Sequence, residues 1–411
     1  MVDSYDDIFV RAFSLLEQTG ILAKSYGEWE IGDWGELRED GRLRIKKDFL
    51  ERSNAAHPIS FSLFTQRGAV EVGGEILITA NTHSRWVHTD EGFRPLTPSD
   101  ARAHFILCET SRVVNCASIL ASKNVSEAIF QEFWEESDQP FVLLDLPEHA
   151  PVSLYEKVLG KLGACSCLVD IPSFSDLFFT PRELALLHIC AARKQPPVLQ
   201  FVWKDDGSCG LEQTAAKYLA ARMLVESICP GLPVLLGVEL FFDDPQSAEI
   251  LHCFSKLAHR LGALFSVGGI LSRSEMDVAA GVCAQWLAQE ILTLKPALVQ
   301  YACGNLNGLE VFSAEKFLLD EEIFLRSMRL AKGIKVDRGS LLFDEIKRVG
   351  PRGMFLSTKM IRVWKEESYQ NTCFHTGSVQ TSEDYTGVVE KTAGREAKRR
   401  IELYEKMHRK V

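Results

Sequence analysis

The chain is short of positive charge: 46 Lys and Arg stand against 56 Asp and Glu, a formal net charge of −10 over 411 residues. A nucleic-acid surface needs clustered cations to neutralise phosphate, so that class of partner is excluded. The one basic cluster, Lys398, Arg399, Arg400, Lys406, Arg409 and Lys410, is interleaved with Glu402 and Glu405 and reads as a solvated helix face. No apolar run approaches membrane-spanning length, and the acidic opening MVDSYDDIF lacks the form of a secretory signal. The expectation is a cytoplasmic protein with no membrane contact. The cysteines number 11 but never form a C-x-x-C pair, and the closest two, Cys165 and Cys167, point the same way on a strand. Free buried thiols in a reducing compartment are expected, not a zinc knuckle or another metal centre. Also missing are G-x-S-x-G, H-E-x-x-H and the Walker loop, and no G-x-G-x-x-G follows an early strand.

What is present is a repeated alternation, clearest from Leu261 to Asn305. An apolar run from Ala263 to Val267 ends in Gly268 and Gly269. A helix-length segment follows with Val278, Val282, Trp286 and Leu287 along one face, and a second apolar run from Ala297 to Ala302 precedes Gly304. A crossover of that length favours parallel strands. Earlier in the chain, residues 5–24 read as an amphipathic helix with Ile8, Ala12, Leu15 and Leu16 on one face, stopped by Gly20. Residues 59–80 alternate apolar and polar around Gly73 and Gly74, a hairpin signature, and Thr97-Pro98-Ser99-Asp100 opens another helix.

Apolar runs separated by helices follow at 113–120, 140–146, 165–171, 196–203, 232–240, 262–269, 297–304 and 353–358. Eight such runs are the number needed for a closed α/β fold, the (β/α)8 TIM barrel; a doubly wound open sheet is the alternative. The expected division is an N-terminal helix and hairpin subdomain over 1–110, the barrel over 111–360 and a C-terminal helical extension over 361–411. In a barrel, chemistry sits where the strands end. Those ends bring Ser118, Asp145, Asp170, Trp203, Lys204, Glu239, Phe241, Phe242, Gly268, Gly269, Ser272, Tyr301 and Asn305 to one rim. Trp203, Phe241 and Phe242 beside the Glu239 carboxylate form the set that holds an alkylated ammonium by cation–π attraction and charge. Packing under a loop, with Glu239 paired to Lys204, is the plainer reading of the same residues. Gly268 and Gly269 admit close approach of a ligand, or serve as an ordinary tight turn.

The segment Gly333 to Leu356, GIKVDRGSLLFDEIKRVGPRGMFL, resembles the carboxy-terminal signature of the trimethylamine methyltransferase family. The resemblance runs back through NGLEVFSAEKFLLDEEI (Asn307 to Ile323) and VGGILSRSEMD (Val267 to Asp277), and at the amino end through LLEQTGI and RIKKDFLERSNAAHPISFSLFTQ. No pyrrolysine position is marked. The chain departs from the family at Arg273, Glu275 and Met354, where opposite charges and a histidine are common.

The resemblance implies a barrel that moves a methyl group from a tertiary or quaternary amine, glycine-betaine-like in the branch without pyrrolysine, to the Co(I) of a separate corrinoid protein. No tightly bound cofactor is implied, because the cobalamin-type corrinoid arrives on a small partner protein; a homo-oligomer is compatible with this. Glu239 and Tyr301 are the candidate catalytic residues. Trp203, Phe241, Phe242, Gly268, Gly269, Ser272 and Asn305 are the candidate substrate-binding residues. The alternative is a family member that has lost methyl transfer and serves in binding or regulation, which the residues at 273, 275 and 354 favour.

Overall fold

The computed structural model describes residues 4–23, 31–55, 60–80, 84–89, 92–118, 134–135, 137–146, 150–202, 210–240, 246–268, 278–307, 309–333 and 343–351. Its centre is an eight-stranded sheet in which every pairing is parallel. In chain order the strands are β1 (Leu77–Ile78), β2 (Ala117–Ser118), β3 (Phe141–Leu144), β4 (Leu168–Ser173), β5 (Pro197–Val202), β6 (Leu235–Glu239), β7 (Phe265–Gly268) and β8 (Leu298–Val299). From β2 to β8 each pairs with its neighbour in sequence, and β8 pairs back onto β1.

The seam between β1 and β2 completes the ring. The backbone N–H groups of Asn115 and Cys116 donate to the Ile78 carbonyl at 3.1 and 3.3 Å. The Asn115 side chain does the rest: its Oδ1 accepts from the Ile78 N–H at 2.8 Å and its Nδ2 donates to the Ile76 carbonyl at 3.0 Å. A side-chain amide thus stands in for ladder bonds that two very short strands cannot make.

Helices cross between the strands as the alternation predicts. They are α1 (Ser4–Ser14), α2 (Lys47–Ala55), α3 (Pro98–Glu109), α4 (Val152–Lys161), α5 (Pro181–Ala192), α6 (Leu211–Ile228), α7 (Gln246–Arg260), α8 (Val278–Leu294), α9 (Ala314–Lys332) and α10 (Phe343–Val349). Capping fixes their starts: Thr97 with Asp100, and Thr180 with Glu183, form reciprocal capping boxes ahead of a proline in the first turn. In α1 the expected face is the buried one. Ala12 and Leu16 have no exposure, although the last turn, Leu15–Thr19, is a π-helix, and Gly20 ends it at φ 75°.

Three expectations need correction. The ring takes its first strand from Leu77–Ile78, inside the 1–110 segment expected to flank the barrel; the run at 353–358 and the extension 361–411 lie outside the described residues. Two residues are too few to show a strand's periodicity. The hairpin is Phe61–Thr65 against Gly68–Val72, so its turn is Gln66–Arg67, and Gly73 and Gly74 come after it. Thr65 closes that turn with its own hydroxyl, 2.9 Å from the Gly68 carbonyl. Finally, α8 buries Ala284, Ala288 and Ile291, while Val282 is 64% exposed. The helix is apolar almost all round, so spacing alone cannot choose its face, and the alanines let it approach α9 closely.

The hairpin forms the floor of the barrel. Phe64 and Ser166 exchange hydrogen bonds, and Gln66 bonds to the backbone of Gln139 and Phe141, at the N-terminal ends of β3 and β4. Its Leu63 and Val72 join Leu77, Leu143, Leu168, Val198, Leu235 and Leu298 in one apolar cluster inside the ring.

Candidate active site

Side chains alternate along a strand, so the residue two places beyond each of those inward apolar residues also faces inward, one layer higher. The step from Leu77 leads to Thr79, from Leu143 to Asp145, from Leu168 to Asp170, from Val198 to Gln200, from Leu235 to Gly237, from Leu264 to Ser266 and from Leu298 to Gln300. All the polar members of this layer are at most 1% exposed. The barrel therefore passes from an apolar floor to a polar layer within one pleat.

Gln300 is the hub of that layer. Its Nε2 lies 3.1 Å from Asp170 Oδ1, 3.1 Å from Ser266 Oγ and 3.4 Å from Gln200 Oε1, three acceptors around two hydrogens. The contact with a carboxylate fixes which end of the amide donates. Gln200 fits because Gly237 and Gly268 lack side chains: a Cβ on Gly237 would stand 1.8 Å from Gln200 Oε1, and one on Gly268 2.9 Å from its Nε2.

Above this layer stand Glu239 and Tyr301. Glu239 ends β6, in register with Val202 and Gly268, and is 7% exposed. Tyr301 follows β8 with φ 57°, a left-handed backbone that a bulky residue adopts only when its surroundings impose it. Those surroundings are visible. The Ala302 N–H donates to the Thr79 carbonyl at 2.8 Å, Asn305 Nδ2 donates to the Tyr301 carbonyl, and the Tyr301 hydroxyl donates to Asp145 Oδ2 at 2.6 Å. Burial pushes the Tyr301 phenol well above its ordinary value, and the charges of Asp145, Asp170 and Glu239 add to that. Tyr301 is thus held protonated, as a hydrogen-bond donor and not as a base.

Of the sequence candidates, the structure brings Glu239, Gly268, Tyr301 and Asn305 together. The open face of Gly268 is filled by the Tyr301 ring, two of whose carbons lie 3.2 Å from the Cβ position, as well as by Gln200, so its missing side chain makes room for theirs. Asn305 begins the strand Asn305–Leu306 of a second sheet that includes Val311–Phe312, Trp86–Thr89 and Gly92–Pro95, and from there it braces the Tyr301 backbone. Trp203, Phe241, Phe242, Gly269 and Ser272 lie outside the described residues. The rim inventory held Asp145 and Asp170 without singling them out, and it missed Thr79, Gln200, Ser266 and Gln300. Their signal was there: a single polar residue interrupting the apolar runs VLLDL, CLVDI, VLQFV and LVQY.

Among the described residues no cluster of three His, Cys, Asp or Glu has the arrangement of a metal site, and no helix is long and apolar enough to cross a membrane. Two open clefts of about 570 and 630 Å³ lie elsewhere, one between α1 and the start of α6, the other around Ile76, Lys295 and Lys332. We locate the site in the barrel because that is where the buried carboxylates converge.

A stretch of 208 residues is 28% identical to the L-carnitine:corrinoid methyltransferase of Eubacterium limosum, covering 47% of this chain and 43% of that protein. A stretch of 175 residues is 31% identical to the glycine betaine methyltransferase of Desulfitobacterium hafniense, covering 38% of this chain and 35% of that protein. The matched stretch therefore spans well under half the length of either relative. In fold, the chain superposes on the monomethylamine methyltransferase of Methanosarcina barkeri with a TM-score of 0.52 at 10% identity, over 99% of this chain and 86% of the other. Residues 208–408 match the family model described as trimethylamine methyltransferase (MTTB), a stretch that takes in Glu239, Gly268, Tyr301 and Asn305. The resemblance of this chain to the trimethylamine methyltransferase family is thereby shown, carried by its carboxy-terminal half on a (β/α)8 barrel.

Proposed function

We propose that this chain moves a methyl group from a tertiary or quaternary amine to the Co(I) of a corrinoid carried by a separate small protein. The observation that carries this reading is the convergence of Asp145, Asp170 and Glu239 around the Tyr301 hydroxyl, inside a ring whose floor is apolar. Carboxylates in a buried setting attract a cation strongly, and an alkylated ammonium is one. The corrinoid, when its protein docks, supplies the nucleophile. The residues of this chain do the rest. Glu239, at the top of the set, meets the cationic nitrogen; Tyr301 orients Asp145, and Gln300 orients Asp170. Trp203, Phe241 and Phe242 are the aromatic partners we assign to the cation, and Gly269 and Ser272 are the further residues we assign to binding.

When the C–N bond breaks, the bonding pair stays on nitrogen and the cationic donor becomes a neutral amine. No proton has to be delivered, which suits a tyrosine held protonated. It also decides what the carboxylates contribute. They stabilise the donor's charge before transfer more than after it, so they act on binding more than on the chemical step.

The test is a screen in which Co(I) corrinoid, free or protein-bound, is mixed with the chain and trimethylamine, choline, glycine betaine, L-carnitine or proline betaine, and loss of the Co(I) absorbance is followed. One donor is expected to give rapid loss that depends on the chain; loss with none of them would remove methyl transfer as the function. With the active donor, Glu239→Gln is expected to raise KM about tenfold or more with a smaller change in kcat and an unaltered Tm. The reading without methyl transfer rests on Arg273, Glu275 and Met354, which lie outside the described residues.

A further inference from the structure

We propose that the cleft at the hairpin-covered end of the barrel binds an amphiphilic anion, a carboxylate or phosphate on a compact apolar body, and that this ligand steadies the seam between β1 and β2. Neither part depends on methyl transfer.

The first ground is shape and lining. The cleft of about 630 Å³ opens where β7 and β8 begin, bounded by the last turns of α7, α8 and α9 and by Gly73 to Ile76, which follow the hairpin. Small-molecule sites typically enclose about 300–1,000 Å³. Its walls are apolar: Phe265 and Leu292 are buried, and Ile76, Leu264 and Met328 are half-buried. Such walls gain from covering an apolar body and gain nothing from a bare hydrated ion.

The second ground is charge. His259 in the last turn of α7, Lys295 just past α8 and Lys332 at the end of α9 all stand on the lining, against a single acid, Glu75. Helix C-termini favour basic residues, which accounts for each of the three on its own helix. Their convergence on one apolar cleft, in a chain of net charge −10, is what selects an anion. Among the described residues no ion pair engages these three side chains.

The third ground ties the cleft to the ring. Asn115 lies exposed on the same lining, next to Ile76. Its Oδ1 accepts from the Ile78 N–H and its Nδ2 donates to the Ile76 carbonyl, the bonds that hold β2 to β1. A ligand seated against Asn115 and Ile76 restrains both groups, and one that binds only the closed ring favours it by mass action.

Isothermal titration of the wild-type chain at pH 7 with octanoate and octyl phosphate, against octanol, tests this. At least one anion is expected to bind about tenfold or more tightly than the alcohol, and the tighter of the two names the head group. Lys295→Asn combined with Lys332→Gln is expected to remove that preference with the far-UV circular dichroism of wild type, asparagine being suited to the φ of 51° at 295. With the anion bound, hydrogen exchange at the Ile78 amide is expected to slow about threefold or more. Equal binding of octanol, unchanged anion binding in the double variant, or binding that leaves Ile78 exchange untouched overturns the inference. So does a change of oligomeric state in the double variant on sedimentation, which assigns the cleft to a second copy of the chain.

Discussion

Gly237 shows how one missing side chain shapes the interior. It carries no strained dihedral and sits mid-strand, where glycine costs stability, yet a Cβ there would overlap the Gln200 amide. The polar layer depends on that gap, because Gln200 Oε1 is one of the three acceptors around Gln300. Gly237→Ala is therefore expected to cost about 1–3 kcal/mol of stability by overpacking. Adding Gln200→Ala is expected to recover most of that loss. Urea denaturation of the two single variants and the double variant measures the coupling, and additive losses would show that the two residues do not contest the same space.

At the scale of the element, α3 repays attention because its start was readable and its burial was not. Thr97, Pro98 and Asp100 announce the helix by a mechanism confined to four residues. The partners of His104 come from more than two hundred residues away: its ring stands edge-on to Phe312 at 4.5 Å, with Cys108 one turn along its own helix. Burial lowers its pKa from 6.5 to about 4. Between those values the unfolded chain binds one more proton than the folded one, so stability falls as pH drops from 6.5 toward 4, by up to about 3 kcal/mol. Above 6.5 the imidazole is neutral in both states and contributes no slope. His104→Leu is expected to flatten the Tm profile over that interval relative to wild type; identical profiles would clear His104 as the source. The same contrast runs through the fold. The long strands and their helices were legible as periodic runs, whereas β1 was hidden by its two-residue length. The candidate site was half legible: Glu239 and Tyr301 lie at strand ends, where a barrel concentrates chemistry, but Gln300 acquires its place only when the ring brings Asp170 and Ser266 beside it.

For the whole molecule, the ring is closed at its weakest seam by the Asn115 side chain, and its lower end is sealed by the Phe61–Val72 hairpin, tied to Ser166, Gln139 and Phe141. With the lower end covered by the hairpin, Glu239 and Tyr301 are approached from the end where the strands finish. Under the proposed reaction, a small donor and a bulky acceptor protein must then pass in sequence, the amine going in first and the spent amine coming out only after the acceptor has stepped aside. Initial-rate measurements are expected to show that excess acceptor slows turnover and that more donor relieves the block, whereas rates indifferent to acceptor excess would mean that the amine has a second way in.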